Sequence, residues 1–260
     1  MKSDLQIITS DLGKLLYVSR AQEKLALLRI HKTASQSFRK AFRKCYRHDD
    51  DARLNFALDV TFEKIENKRF VSPHMTVQQW FDLGVEDDWK IAVTFREPRK
   101  RLRSAFRYFQ QKPNTHPTSI GAVLQGMSYR AFLTSDDPSV LGVKDNIIAK
   151  FLGGGTFENA NKLRNQVTLS KDITIQKATD TACSLLSSGK ILPLVVEEAS
   201  ASITSVCEVL GVRRLPKMPW SNSNKKWDET QYTEEIIELE NAFLKYDFTV
   251  YDCAVSALNA

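Results

Sequence analysis

Twice in this chain an apolar strand pattern runs straight into a basic turn and then into an amphipathic helix. The first instance is LALLRIHKTASQSF at residues 25–38, and the second is IAVTFREPRKRLRSAFRYF at residues 91–109. A third strand, ILPLVV at 191–196, again precedes a helical pattern, over 199–210. Strands that alternate with helices imply an α/β fold, a central parallel β-sheet flanked by helices on both faces. Ligands of such sheets bind beyond the carboxyl ends of the strands, which is where both basic turns begin.

The first turn has the chemistry of an anion site. A strand ends, successive N–H groups turn outward, and a helix N-terminus adds partial positive charge. Lys32 supplies a full charge, while Thr33, Ser35 and Ser37 supply hydroxyls. The alternative roles are ordinary ones: a surface lysine at a strand end, and serines that cap the helix. The GxxxxGK[ST] form is absent, since no glycine precedes the lysine, so the expected ligand is phosphate-like rather than a nucleoside triphosphate. From Gln36 onward, Phe38, Ala41, Phe42 and Cys45 give one apolar helical face.

In the second turn Pro98 suits the first helical position, where its missing N–H costs nothing. Leu102, Ala105, Phe106 and Phe109 form the buried stripe. Arg96 leaves a strand end, and its planar fork suits a phosphate; Arg101 reads as structural or solvent-facing. The remaining pattern predicts a β-hairpin over 5–19 with Asp11 and Gly13 in its turn, and a solvated loop at 48–53. A strand near 69–72 and a short helix at 77–81 follow. Helices are expected at 120–133, 144–151, 179–188 and 233–257, a helix C-terminal turn at 153–155, a Pro-interrupted loop at 111–119 and an irregular basic loop at 215–229. One domain over 1–260 is expected, with 1–24 as a hairpin extension.

A chain of 260 residues, 42% hydrophobic and 26% charged, can bury one sizeable core. No apolar run approaches the roughly 18 residues of a membrane span, and the N-terminus lacks an apolar signal core. A cytoplasmic protein with no membrane span is expected. The four cysteines are widely spaced, which argues against zinc or a disulfide framework; Cys45, Cys207 and Cys253 are expected to be reduced and packed. The net charge of +6 permits a nucleic-acid partner. However, the basic residues concentrate at 29–47 and 96–107, on the two turns, so a polyanionic small molecule is expected and no nucleic acid.

With its Lys-Thr-Ala-Ser-x-Ser core, the first turn resembles the 5′-phosphosulfate loop of sulfotransferases, which usually reads Pro-Lys-Thr-Gly/Ala-Ser-Thr-Ser. The second resembles the family's 3′-phosphate motif, with Arg96, Pro98, Arg101 and Ser104 on matching positions. Segments 146–155, 191–212 and 232–254 resemble later blocks of membrane-type carbohydrate sulfotransferases, in the family's order. Ala34 is shared with the uronyl 2-O branch. His31 stands where the family has proline and Gln36 where it has threonine.

This resemblance implies a P-loop-kinase-like sulfotransferase fold and the donor 3′-phosphoadenosine-5′-phosphosulfate, with adenosine 3′,5′-bisphosphate as product and no metal. Lys32 would be catalytic, and Lys32, Thr33, Ala34, Ser35, Gln36 and Ser37 would hold the 5′-phosphosulfate. Arg96 and Ser104 would hold the 3′-phosphate. His74, in SPHMT after a strand, stands where uronyl 2-O enzymes present the base. Glu197 and Glu198 match a block that fixes structure, and His31 is expected to pack beneath the loop. Trp220 and Trp227, with Ser221, Ser223, Lys225 and Lys226, would close over the nucleotide. The acceptor would be a hydroxyl on a saccharide or small metabolite. Rival expectations are a phosphoryl-transfer enzyme and a non-enzymatic nucleotide-binding protein.

Overall fold

The computed structural model describes residues 6–9, 15–18, 20–111, 120–157, 167–219 and 232–260. In chain order the elements begin with β1 (Gln6–Thr9), β2 (Leu15–Val18), β3 (Lys24–Leu28), α1 (Ser35–Phe42), α2 (Phe62–Ile65), β4 (Phe70–Val71) and α3 (Val77–Phe81). There follow β5 (Trp89–Phe95), α4 (Pro98–Gln110), α5 (Ile120–Val123), α6 (Tyr129–Thr134), α7 (Pro138–Lys144) and α8 (Ile147–Leu152). The chain ends with β6 (Gly155–Phe157), β7 (Val167–Leu169), α9 (Ile175–Ser187), β8 (Ile191–Val195), α10 (Ala199–Val209) and α11 (Glu234–Leu258). The hairpin turn at Asp11 and Gly13, His116, and Trp220 through Trp227 lie outside the described residues.

The central sheet runs β4-β3-β5-β8 with every pair parallel, as the alternation of strands and helices requires. Period-two alternation along β3 divides the core. Leu25 and Leu27 pack with Phe38 and Phe42 of α1 and with Ile203 and Val206 of α10. Ala26 and Leu28 pack on the other face with Trp80, Phe151, Ala182 and Val250, from α3, α8, α9 and α11. Pro193 sits within β8, an edge strand where its missing N–H breaks no inner ladder. The opposite edge, β4, is covered by the segment at 51–56, which bridges to Phe70 and His74. β1 and β2 pair as the expected antiparallel hairpin. Among the described residues no helix is long and apolar enough to cross a membrane.

Several local readings need correction. The single helix expected over 120–133 is two, because Gly126 turns at φ 75° and Ser128 caps α6 by accepting from the Ala131 N–H. The helix expected at 144–151 begins at Ile147, after α7, which Asp137 caps and Pro138 opens. The helix expected at 179–188 starts a turn earlier, at Ile175, behind the cap of Thr174. The loop at 48–53 is not fully solvated: Asp51 is buried, and Arg43 Nε lies 2.8 Å from its Oδ2. Gly153 does end α8, but Gly155 opens a strand. A Cβ on Gly153 would collide with the Ala178 carbonyl, so glycine there permits the close approach of α9.

Cys45 and Cys207 are free and buried, whereas Cys253 is disulfide-bonded to Cys183, contrary to the expectation of a reduced thiol. The cause is tertiary. α9 and α11 pack side by side and bring together residues separated by 70 positions, which no spacing within one helix reveals.

Candidate functional site

The turn between β3 and α1 is built from strained backbone. Lys32 and Ala34 both hold left-handed conformations, at φ 70° and 50°. Each costs a non-glycine residue about 1–2 kcal/mol. Left-handed residues alternating with right-handed ones aim successive N–H groups into one concavity, a device for binding anions. The cap of α1 is Ala34, which offers no side-chain acceptor, so neither Ser35 nor Ser37 caps the helix. The N–H groups of Ser35 and Gln36 meet no backbone acceptor among the described residues, as the first turn of a helix dictates. Gln36 is exposed, while Ser35 and Ser37 are buried.

Thr33 points inward. Its hydroxyl donates to the Ile30 carbonyl at 2.7 Å, so the 2.6 Å contact with Thr94 Oγ1 is donated by Thr94. The pair ties the turn to β5, and the Thr33 hydroxyl is engaged inside the loop rather than facing a ligand.

β5 delivers Arg96 beside that turn. Arg96 Nη1 donates to the Lys32 carbonyl at 3.4 Å, so the two basic turns lie side by side. Burial lowers the Arg96 pKa, against the opposing influence of Glu197 and Glu97. Its Nε is buried without a hydrogen-bond partner among the described residues, a donor left over for an anion. The neighbouring N-terminus of α4 is already satisfied: the Glu97 carboxylate accepts from the N–H groups of Arg99 at 3.2 Å and Lys100 at 2.7 Å. Glu197 in turn accepts from the Glu97 N–H and the Tyr251 hydroxyl, the structural role read for it in sequence.

In the last turn of α4, Tyr108 lies with its ring centroid 4.0 Å from Lys32 Nζ. Ser104 precedes Tyr108 by four residues and shares its helix face, so Ser104 looks toward the same turn. Tyr108 escaped the sequence reading, which singled out only Phe106 and Phe109 among the aromatics of α4; 37% of its surface is exposed.

The other arginines of α4 are committed elsewhere. Arg103 forms a two-pronged pair with the buried Glu240 at 2.7 Å on each side, and the Tyr129 hydroxyl donates to the same carboxylate at 2.7 Å. Arg99 donates to Asn241. Arg101 is fully buried, donating to the Val143 carbonyl at 3.1 Å with Asp247 at 4.0 Å, so it is structural and not solvent-facing. Burial pushes the Asp247 carboxyl up to about 6, against Arg101 and the N–H groups of Ala149 and Ile148. The basic run that marks this motif in sequence is therefore largely a clamp onto α7 and α11.

His74 follows β4 and reaches the loop from the other side. Its Nδ1 donates to the Arg29 carbonyl at 2.8 Å, which leaves the lone pair on Nε2. Nε2 has no partner among the described residues. The ring stacks on His31 at 4.0 Å and 10°, so His31 packs beside His74 rather than simply beneath the loop. Burial, then His31 and Arg29, push the His74 pKa down to about 2. Arg29 is itself buried, and its Nε and Nη1 lack partners among the described residues. Among these residues no three His, Cys, Asp or Glu side chains are grouped to hold a metal ion.

The depressed pKa of His74 has a stability consequence. Below about pH 6.5 the unfolded histidine takes up a proton that the folded one refuses. The contribution of His74 to stability is thus full above pH 6.5 and is lost as the pH drops toward 2. In denaturant titrations between pH 7.5 and 4.5, His74→Gln is expected to lose about 2 kcal/mol less than the native chain. Equal losses would refute the buried neutral imidazole.

Lys32, the turn through Ser37, Arg96 and His74 therefore gather at the carboxyl ends of three adjacent strands, with Ser104 one helical turn before Tyr108 on α4. The chain matches no protein-family model and no curated protein sequence.

Proposed function

We propose that the chain is a sulfotransferase that moves a sulfuryl group from 3′-phosphoadenosine-5′-phosphosulfate to an acceptor hydroxyl, on the core of a P-loop-kinase-like sulfotransferase fold. The observation that carries this is the contact of Arg96 with the Lys32 carbonyl. It sets the strand–turn–helix of β3 beside that of β5, so that Lys32 and Arg96 stand as two neighbouring cationic groups. A donor with a phosphosulfate at one end and a 3′-phosphate at the other needs two such groups. The left-handed turn and the unpartnered Arg96 Nε are the features an anion would fill.

In this reading the N–H groups of the turn, with Ser35 and Ser37, hold the phosphosulfate, and Arg96 with Ser104 holds the 3′-phosphate. Lys32 stabilises the charge that grows on the bridging oxygen of the leaving phosphate, where it counts more in the transition state than in the ground state. His74 Nε2 accepts the proton of the acceptor hydroxyl. No step calls on a metal. A pKa near 2 makes the unliganded His74 a weak base and, taken alone, favours a nucleotide-binding protein without turnover. A polyanionic donor bound beside His31 and Lys32 raises that pKa toward the working range.

The cytoplasmic setting expected from sequence and the Cys183–Cys253 disulfide pull in opposite directions, because a reducing cytosol keeps thiols open.

Adenosine 3′,5′-bisphosphate at a hundred times its dissociation constant is expected to stabilise the chain by about 2.7 kcal/mol. For a chain of this size that raises the melting temperature by about 5–10 °C. ATP with magnesium is expected to give a smaller shift. No shift at millimolar bisphosphate would exclude the donor site.

A further inference from the structure

The surface next to His74 is aromatic, and the backbone holds it in place. Phe56 is 46% exposed, although a side chain of this kind is ordinarily inside. It forms a parallel bridge with His74. The His74 N–H donates to the Asn55 carbonyl at 2.7 Å, and the Ala57 N–H donates to the His74 carbonyl at 3.1 Å. Asn55 is held in turn by Arg29 Nη2 at 3.4 Å. The Phe56 ring lies 6.1 Å from the His74 ring, which stacks on His31, the residue before Lys32. A row of three rings, Phe56, His74 and His31, thus runs from the exposed surface to the residue that precedes Lys32.

The charge around this row is acidic. Leaving aside the buried Asp51, which Arg43 neutralises, segment 48–66 carries Asp49, Asp50, Asp59, Glu63 and Glu66 against Arg53 and Lys64. Arg53 contacts His48 and Lys64 donates to the Asp59 carbonyl, and with both cations counted the segment is still net negative. A polyanionic chain approaching from this side meets repulsion, whereas an uncharged ring meets an exposed phenyl face.

We propose that Phe56 is the acceptor platform, and that the acceptor is an uncharged molecule with a flat, carbon-rich ring face bearing a free hydroxyl. The ring lies on Phe56 and its hydroxyl reaches His74 Nε2. The proton passes to Nε2 and the acceptor oxygen bonds to sulfur. The bond from sulfur to the 5′-phosphate oxygen breaks, releasing adenosine 3′,5′-bisphosphate. This assignment rests on the sulfuryl-transfer function proposed above.

The test measures initial rates with the full chain and the sulfate donor against four acceptors: 2-naphthol, methyl β-D-glucopyranoside, mannitol and a polyuronate oligosaccharide. One or both ring acceptors are expected to be sulfated in preference to mannitol and the polyuronate, and the pair distinguishes an arene from a sugar face. Phe56→Ala is expected to raise KM for the preferred ring about tenfold with kcat within about threefold, and Phe56→Trp to restore it. An unchanged KM in Phe56→Ala, preference for mannitol or the polyuronate, or no transfer to either ring while the bisphosphate still binds would each overturn the platform. Melting shifts with adenosine 3′,5′-bisphosphate are expected to be equal in native chain and Phe56→Ala. Loss of that shift in the native chain would instead indict the donor site.

Discussion

Replacing Lys32 by methionine is expected to reduce kcat for sulfuryl transfer about a thousandfold while moving the melting temperature by no more than a couple of degrees. Lys32 is half-buried and its ammonium lies over the Tyr108 face, a contact that methionine replaces with a sulfur–aromatic one. The left-handed backbone at Lys32 costs either unbranched side chain alike. The variant therefore isolates the charge. Because that charge is called on mainly as the leaving oxygen becomes anionic, the loss should fall on kcat more than on donor KM. Near-native turnover in a folded Lys32→Met chain would remove the lysine from the mechanism.

The second large effect is on stability. Glu240 is fully buried and satisfies Arg103 and Tyr129 together. Glu240→Ala strands both partners and is expected to cost about 3–5 kcal/mol, a fall in melting temperature of about 10 °C or more. Since α4 also presents Ser104 and Tyr108 to the anion turn, affinity for adenosine 3′,5′-bisphosphate should weaken in the same variant. Exchanging the pair for apolar residues, Glu240→Leu with Arg103→Met, should recover much of the stability, because no charge is then left alone. A single variant within about 1 kcal/mol of native would show that the ion pair does not clamp α4.

What sequence could reveal here was local. The turns announced themselves because strand, basic residues and helix are contiguous, and Pro98 marked the start of α4 within one residue. Parallel pairing followed from alternation alone. The inward turn of Thr33 was hidden because its partner Thr94 lies on the neighbouring strand, 61 residues on. The basic run over 96–107 looked like part of an anion site because the acid that engages Arg103 lies 137 residues away. Ala34 gave no sign that it would adopt a glycine's conformation as the cap of α1. Phe56 carries no motif in the sequence, and its place follows only from the bridge of its backbone to His74.

The covalent link between α9 and α11 makes the surroundings of the molecule part of its mechanics. α11 bears the acids that neutralise the arginines of α4, so whatever fixes α11 also steadies the wall carrying Ser104 and Tyr108. In an oxidising medium α11 is tied covalently to α9 through Cys183 and Cys253. Where thiols are kept open, only packing and ion pairs hold it. The same chain is then a stiffer instrument outside a reducing compartment than within one.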